Sequence, residues 1–172
     1  MRRISDLPDD EAAAELRACC ASARWVARML SQRPFKDSNE VFESAERIWN
    51  DLGPDDWHEA FRAHPRIGGP GDGGTGGRGH GAQGDAWSAA EQAGVAAAGD
   101  DVKAQLAQIN REYEAKFGWI YLVCASGKSA EELLAMAQAR RANDPETELT
   151  IAAAEQAKIT RLRLIKLLEK GT

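Results

Sequence analysis

Along most of this chain apolar residues return every three or four positions, a spacing that restricts it to amphipathic helices packed on one another. Val41, Phe42, Ala45, Ile48, Trp49 and Leu52 form one such stripe, and Val102, Leu106, Ile109, Tyr113 and Phe117 form another. A helix with one apolar face must bury it against a neighbour, so the stripes have to meet in a shared core. The expected fold class is therefore all-α: a single compact bundle of six to eight helices, one domain over residues 1–172. A chain of 172 residues can bury such a core without disulfides or a structural metal.

Local signals set the expected boundaries. An Ala-rich helix is predicted from Asp9 to Ser31, with Leu16, Cys20, Trp25 and Met29 inward and Pro34 closing the element. A second starts near Ser38 and stops at Gly53, and Pro54 suits the first turn of a short third helix that delivers His64 at its end. Ten of the sixteen glycines then fall between 68 and 84, a stretch that cannot form a packed core and reads as a mobile surface loop. Asp85 is the expected N-cap of the next helix, through Trp87, Glu91 and Val95, and Asp100 the expected cap of the one after it. Trp119 to Ala125 is continuously apolar, and its period leaves a short buried strand and an extended connector equally open. Ser129 with Glu132 makes a capping box, and Asp144-Pro145 opens a final helix to about Lys170.

A net charge of -5 and a pI near 5.3 argue against a nucleic-acid partner. No stretch approaches the roughly 18 apolar residues that cross a bilayer, and Met1–Pro8 carries two arginines with no apolar segment behind them. The Lys-Gly-Thr ending matches no address signal, so a cytoplasmic protein is expected. Cys19, Cys20 and Cys124 form no CxxC pair and read as buried free thiols of a reducing compartment. Ser126-Gly127-Lys128-Ser129 imitates the end of a phosphate-binding loop, but the required first glycine falls at Leu122, which excludes an ATPase.

Chemistry concentrates on both sides of the glycine-rich stretch. His64 precedes Pro65, which disfavours helical backbone at His64 and makes it a helix terminus. There an imidazole either caps the last carbonyls or transfers protons near neutral pH. Ser88, Glu91 and Gln92 stand at i, i+3 and i+4, so one helix face carries a hydroxyl, a carboxylate and an amide. That face either holds a small polar ligand or is simply solvated. On the last helix Arg163 lies between Ile159 and Leu167, while Arg161 is surrounded by Ala157, Leu164, Ile165 and Leu168. Periodicity slightly favours Arg161 as the inward arginine, and snorkelling is open to both. His58, His64 and His80 lack HExxH spacing, so no metal centre is expected.

In order, Ser31-Gln32-Arg33-Pro34-Phe35, His64-Pro65 with Gly68, Ser88-x-x-Glu91-Gln92-Ala93-Gly94, Phe117-Gly118 and Lys158-Ile159-x-x-Leu162-Arg163-Leu164 span nearly the whole chain. On these motifs the chain resembles the 2-oxo-4-hydroxy-4-carboxy-5-ureidoimidazoline (OHCU) decarboxylase family. Two departures stand out: a longer, glycine-richer segment between His64 and Ser88, and Trp119-Ile120-Tyr121 in place of Phe-x-Phe.

The resemblance implies an all-helical, cofactor-free, homodimeric enzyme of urate breakdown that turns a ureidoimidazoline acid into (S)-allantoin. It also implies functional coupling to urate oxidase and hydroxyisourate hydrolase. His64 would be the catalytic proton-transfer residue, assisted by Glu91. Ser88 and Gln92 would hydrogen-bond the substrate, Pro65 would line the pocket, and Tyr121, Leu122, Val123, Cys124 and Ala125 would offer backbone groups. Arg163 would be the arginine facing the ligand. A catalytically silent binding module and a metal hydrolase using His64 and His80 are the competing readings.

Overall fold

The computed structural model describes residues 4–67 and 81–169. Most of the glycine-rich stretch, with His80, lies outside the described residues, so the expected mobile loop there stays an expectation. After a 3₁₀ turn at Ile4–Asp6 come α1 (Asp9–Cys19), α2 (Ala23–Ser31), α3 (Ser38–Asn50) and α4 (Pro54–Arg62). They are followed by α5 (Gly81–Glu91), α6 (Ala93–Ala96), α7 (Asp100–Phe117), α8 (Ala130–Arg140) and α9 (Pro145–Glu169). The architecture is all-α, with no strand among the described residues.

Nine α-helices among the described residues exceed the expected six to eight, for two local reasons. The helix predicted over 9–31 is two helices, because Cys20 is extended and the Ser22 hydroxyl accepts from the Trp25 N–H at 3.2 Å, capping a new start. The helix expected from Asp85 through Val95 begins earlier, at Gly81, and breaks at Gln92. Asp100 likewise sits in the first turn of α7, with Gly99 at the cap position. Asp37 caps α3 by accepting from Glu40, and Ser129 and Glu132 form the expected capping box on α8. Gly118 (φ 84) closes α7 in the left-handed conformation that favours glycine.

Two apolar clusters fill the interior. One gathers Leu16, Trp25, Met29, Ile48, Trp49 and Phe61 with Ile159 and Leu164 of α9. The other gathers Leu106, Ile109, Tyr113 and Phe117 of α7 with Leu133 and Ala137 of α8. Residues 119–125 run between them as an extended connector. Its side chains alternate: Leu122 and Cys124 enter the first cluster, and Tyr121, Val123 and Ala125 enter the second. Of the two expectations the connector holds: the segment has the strand period but no strand partner among the described residues.

Cys19, Cys20 and Cys124 are buried free thiols. Burial pushes the Cys20 thiol up to about 12 and raises the Cys19 thiol as well, so both stay neutral and unreactive near neutral pH. No helix among the described residues is long and apolar enough to cross a membrane.

Candidate active site

His64 is delivered by the end of α4, where its backbone N–H bonds to the Phe61 carbonyl at 3.1 Å. Two contacts tie the following residues to α7. Asn110 donates to the Ile67 carbonyl at 2.7 Å, and Arg66 forms a two-point ion pair with Glu114 at 2.6 and 2.9 Å. The imidazole is buried, and its Nε2 lies 2.8 Å from Oε1 of Gln156 on α9.

Opposite stands the end of α5. Its Ser88, Glu91 and Gln92 line one small cavity with His64, Pro65, Ile67, Tyr121, Leu122, Val123, Ala125 and Ile159. The free space is about 20 Å³, room for roughly one water.

Arg163 decides how α5 is held. It is completely buried, and its guanidinium spends its donors on three partners. Nε and Nη2 reach the two Glu91 oxygens at 3.2 and 3.0 Å, Nη2 also reaches Ser88 Oγ at 2.8 Å, and Nη1 reaches the Ala18 carbonyl at 3.1 Å. Lys166 adds a second cation, 3.4 Å from Glu91. Arg161, which periodicity favoured as the inward arginine, is exposed and lies over the Phe42 ring at 4.7 Å. The difference is angular, since two residues along a helix turn a side chain by more than half a revolution. Arg163 nevertheless stands behind the cavity wall and does not line it, so it grips Glu91 and Ser88 from the rear.

The connector has no sheet neighbour among the described residues, and charged side chains satisfy part of its backbone. Arg140 donates to the Leu122 carbonyl at 2.8 Å, Glu155 accepts from the Cys124 N–H at 2.7 Å, and Lys128 donates to the Cys124 carbonyl at 2.7 Å. Arg140 is itself paired with buried Glu148 at 2.5 Å, and Tyr113 donates to the same carboxylate. Leu122 and Cys124 thus turn their backbone groups into this network. Of the connector residues expected to face a ligand, Cys124 alone does not line the cavity. In an extended chain the intervening residues present the opposite edge, and the N–H and C=O of Val123 take no partner among the described residues.

The lysine and serine of the false phosphate loop have other work. Lys128 holds the connector and Ser129 caps α8. Trp119 does not line the cavity; it packs against His58 and Phe117 at centroid distances of 5.1 and 5.5 Å.

Gly94 joins the two walls. A Cβ there would lie 2.4 Å from the Lys128 carbonyl oxygen, so α6 approaches the 125–128 turn as only glycine permits. Gly94→Ala is expected to cost about 1–3 kcal/mol and to weaken substrate binding by moving Gln92 and Glu91. Thermal melting checks this, and an unchanged midpoint would show that the turn yields freely.

Sequence reasoning missed Gln156 and the apolar liners Ile67 and Ile159. The available signal was that Gln156, Ile159, Thr160 and Arg163 fall at i, i+3, i+4 and i+7 on one face of α9, a polar line inside an apolar stripe.

Comparison with known proteins gives the family and the fold. The OHCU decarboxylase family model matches residues 5–165. The chain belongs to that family. It is 37% identical over 155 residues to the uric acid degradation bifunctional protein TTL of Arabidopsis thaliana, covering 89% of this chain but 46% of that protein. It thus spans about half the length of that relative. It is 28% identical over 141 residues to the 2-oxo-4-hydroxy-4-carboxy-5-ureidoimidazoline decarboxylase of Amia calva, covering 81% of this chain and 77% of that one. Among solved structures it is similar to an OHCU decarboxylase crystallised in the presence of (S)-allantoin, with a TM-score of 0.75 and 35% identity, covering 91% of this chain and 98% of that one. The fold is shared with an (S)-allantoin synthase at a TM-score of 0.66 and 18% identity, over 95% of this chain and 52% of that one.

Proposed function

We propose that the chain decarboxylates 2-oxo-4-hydroxy-4-carboxy-5-ureidoimidazoline to (S)-allantoin without a cofactor. The observation that carries this reading is one cavity shared by His64, Ser88, Glu91, Gln92 and Val123, whose backbone N–H and C=O take no partner among the described residues. The family membership and the names of the similar proteins support it.

The substrate class suits these groups. As the carbon–carboxylate bond breaks, CO₂ leaves and the electron pair moves toward the adjoining ring C=N, so the substrate supplies its own electron sink. The protein must then orient the leaving carboxylate, stabilise developing charge and hand a proton to one face. His64 makes the proton transfer. Glu91, held by Arg163 and Lys166, accepts from substrate N–H groups, while Ser88 and Gln92 bond the remaining polar atoms. Ser88 accepts from Arg163, which orients its side chain at the cavity wall. The Val123 N–H and C=O offer the edge that a ureido or ring amide pairs with. A ligand of this size exceeds the free cavity, so binding parts the walls.

The test follows substrate formed in situ from urate by the upstream enzymes, using circular dichroism where allantoin absorbs. Acceleration to a single hand is expected; a rate and handedness equal to spontaneous decay would refute the activity. We further propose a cytoplasmic homodimer working in sequence with urate oxidase and hydroxyisourate hydrolase. The three buried thiols are compatible with a reducing compartment, and the Arabidopsis relative is itself named as bifunctional. Light scattering is expected to return twice the 18.7 kDa chain mass, and a monomer at micromolar concentration would refute the dimer.

A further inference from the structure

We propose that Gln156 is a positioning residue that fixes His64 as its Nε2–H tautomer and thereby makes Nδ1 the nitrogen that exchanges a proton with the substrate. The role in catalysis rests on the decarboxylase reading above; the tautomer does not.

The argument starts from the amide. Gln156 is completely buried, and each end of its side chain has one partner. Its Nε2 donates to Thr160 Oγ1 at 3.1 Å, one turn further along α9, so the end facing the imidazole is Oε1, 2.8 Å from His64 Nε2. An amide oxygen only accepts. The ring nitrogen beside it must therefore carry a hydrogen, in the neutral imidazole as in the imidazolium. Thr160 stands beside the buried Cys20 thiol, which burial keeps neutral.

Geometry gives the same direction. Gln156 does not line the cavity although His64 does, so the Nε2 edge is turned into α9 and away from the cavity. A histidine that works as a base in its neutral form needs its lone pair on the reactive side. The Gln156 acceptor provides this by holding the hydrogen at the rear. Gln156 and His64 are 92 positions apart, so no local pattern could arrange the contact.

The charged groups around the ring come from several elements. Glu91 of α5 shares the cavity, with Arg163 and Lys166 of α9 behind it, and Tyr121 of the connector lines the same space while its phenol donates to the Leu133 carbonyl of α8. Burial pushes the Tyr121 phenol up to about 12, so it stays neutral across the working pH range. Gln156→Leu therefore removes a neutral hydrogen bond and leaves these charged groups in place.

The test reads the tautomer and the kinetics separately. Imidazole ¹⁵N spectra of the wild-type protein without substrate, above the pH where His64 titrates, are expected to show a protonated-type Nε2 and an unprotonated-type Nδ1. Gln156→Leu is expected to mix the tautomers and to lower kcat by about 10–100-fold, with KM within about threefold. Gln156→Glu restores an acceptor, so it is expected to recover the Nε2–H form. Its carboxylate favours the imidazolium, which moves the His64 limb of the kcat–pH profile up by about one unit or more. A wild-type ring protonated at Nδ1, or a His64 limb unmoved in Gln156→Glu, overturns the proposal. Should Gln156→Leu fail to fold, the wild-type spectrum and Gln156→Glu decide the question alone. The expected tautomer in a protein that does not turn over the ureidoimidazoline would refute the activity and uphold the positioning role.

Discussion

His64→Asn leaves allantoin formation at the spontaneous rate in a protein that still folds. The imidazole is the group in the cavity suited to give and take a proton near neutrality, and proton transfer of this kind contributes about 10²–10⁴-fold. The asparagine amide reaches only about as far as Nδ1 of the ring, so the buried Gln156 oxygen loses its partner at a cost of about 1–3 kcal/mol. Melting should therefore fall by roughly 2–12 °C with the fold kept, while the enzymatic component of the dichroism signal vanishes. Turnover within a factor of a few of wild type would remove His64 from the chemistry and leave it a helix-end cap.

Arg163→Leu should have the largest effect on stability. It strips three partners at once: the Glu91 carboxylate, the Ser88 hydroxyl and the Ala18 carbonyl. Glu91 then keeps only the partly exposed Lys166 at 3.4 Å. Removing one member of a buried pair costs about 3–5 kcal/mol, because the other is left charged and dry. For a chain of this length that lowers the melting midpoint by roughly 6–20 °C. Adding Glu91→Gln to Arg163→Leu should return part of the loss by deleting the stranded charge, yet activity stays absent because the gripped carboxylate is gone. A single variant that melts with the wild type would mean that the guanidinium contributes nothing net. Equal stability of the single and double variants would place the cost elsewhere.

These expectations depend on features of unequal visibility in the chain. The capping box at Ser129 and Glu132, the Pro54 start of α4 and the stripe through α7 are local, set by residues within a turn or two of each other, and each lies where spacing and side-chain chemistry put it. The break at Cys20–Ser22 was hidden because Ala-rich sequence on both sides continues the helical period, while one serine hydroxyl outcompetes it. The early start of α5 at Gly81 was hidden for the opposite reason. Glycine-rich sequence reads as loop, and local propensity is a weak prior that tertiary context overrides.

At the site, the sequence supplied the chemical types and their order: an imidazole before a proline, then a hydroxyl, a carboxylate and an amide on one helix face, then an arginine near the end. Those follow from side-chain identity and helical spacing, both of which are properties of short segments. What only the tertiary structure decided is who meets whom. Arg163 and not Arg161 enters the interior, Glu91 grips it from 72 positions away, and Ala18 does so from 145. Gln156 lies behind His64, and Cys124 turns its backbone to Glu155 instead of the cavity. The physical reason is that a buried charge or amide must find its partner wherever the packed helices bring one, and that pairing is a property of the closed core rather than of any window of sequence.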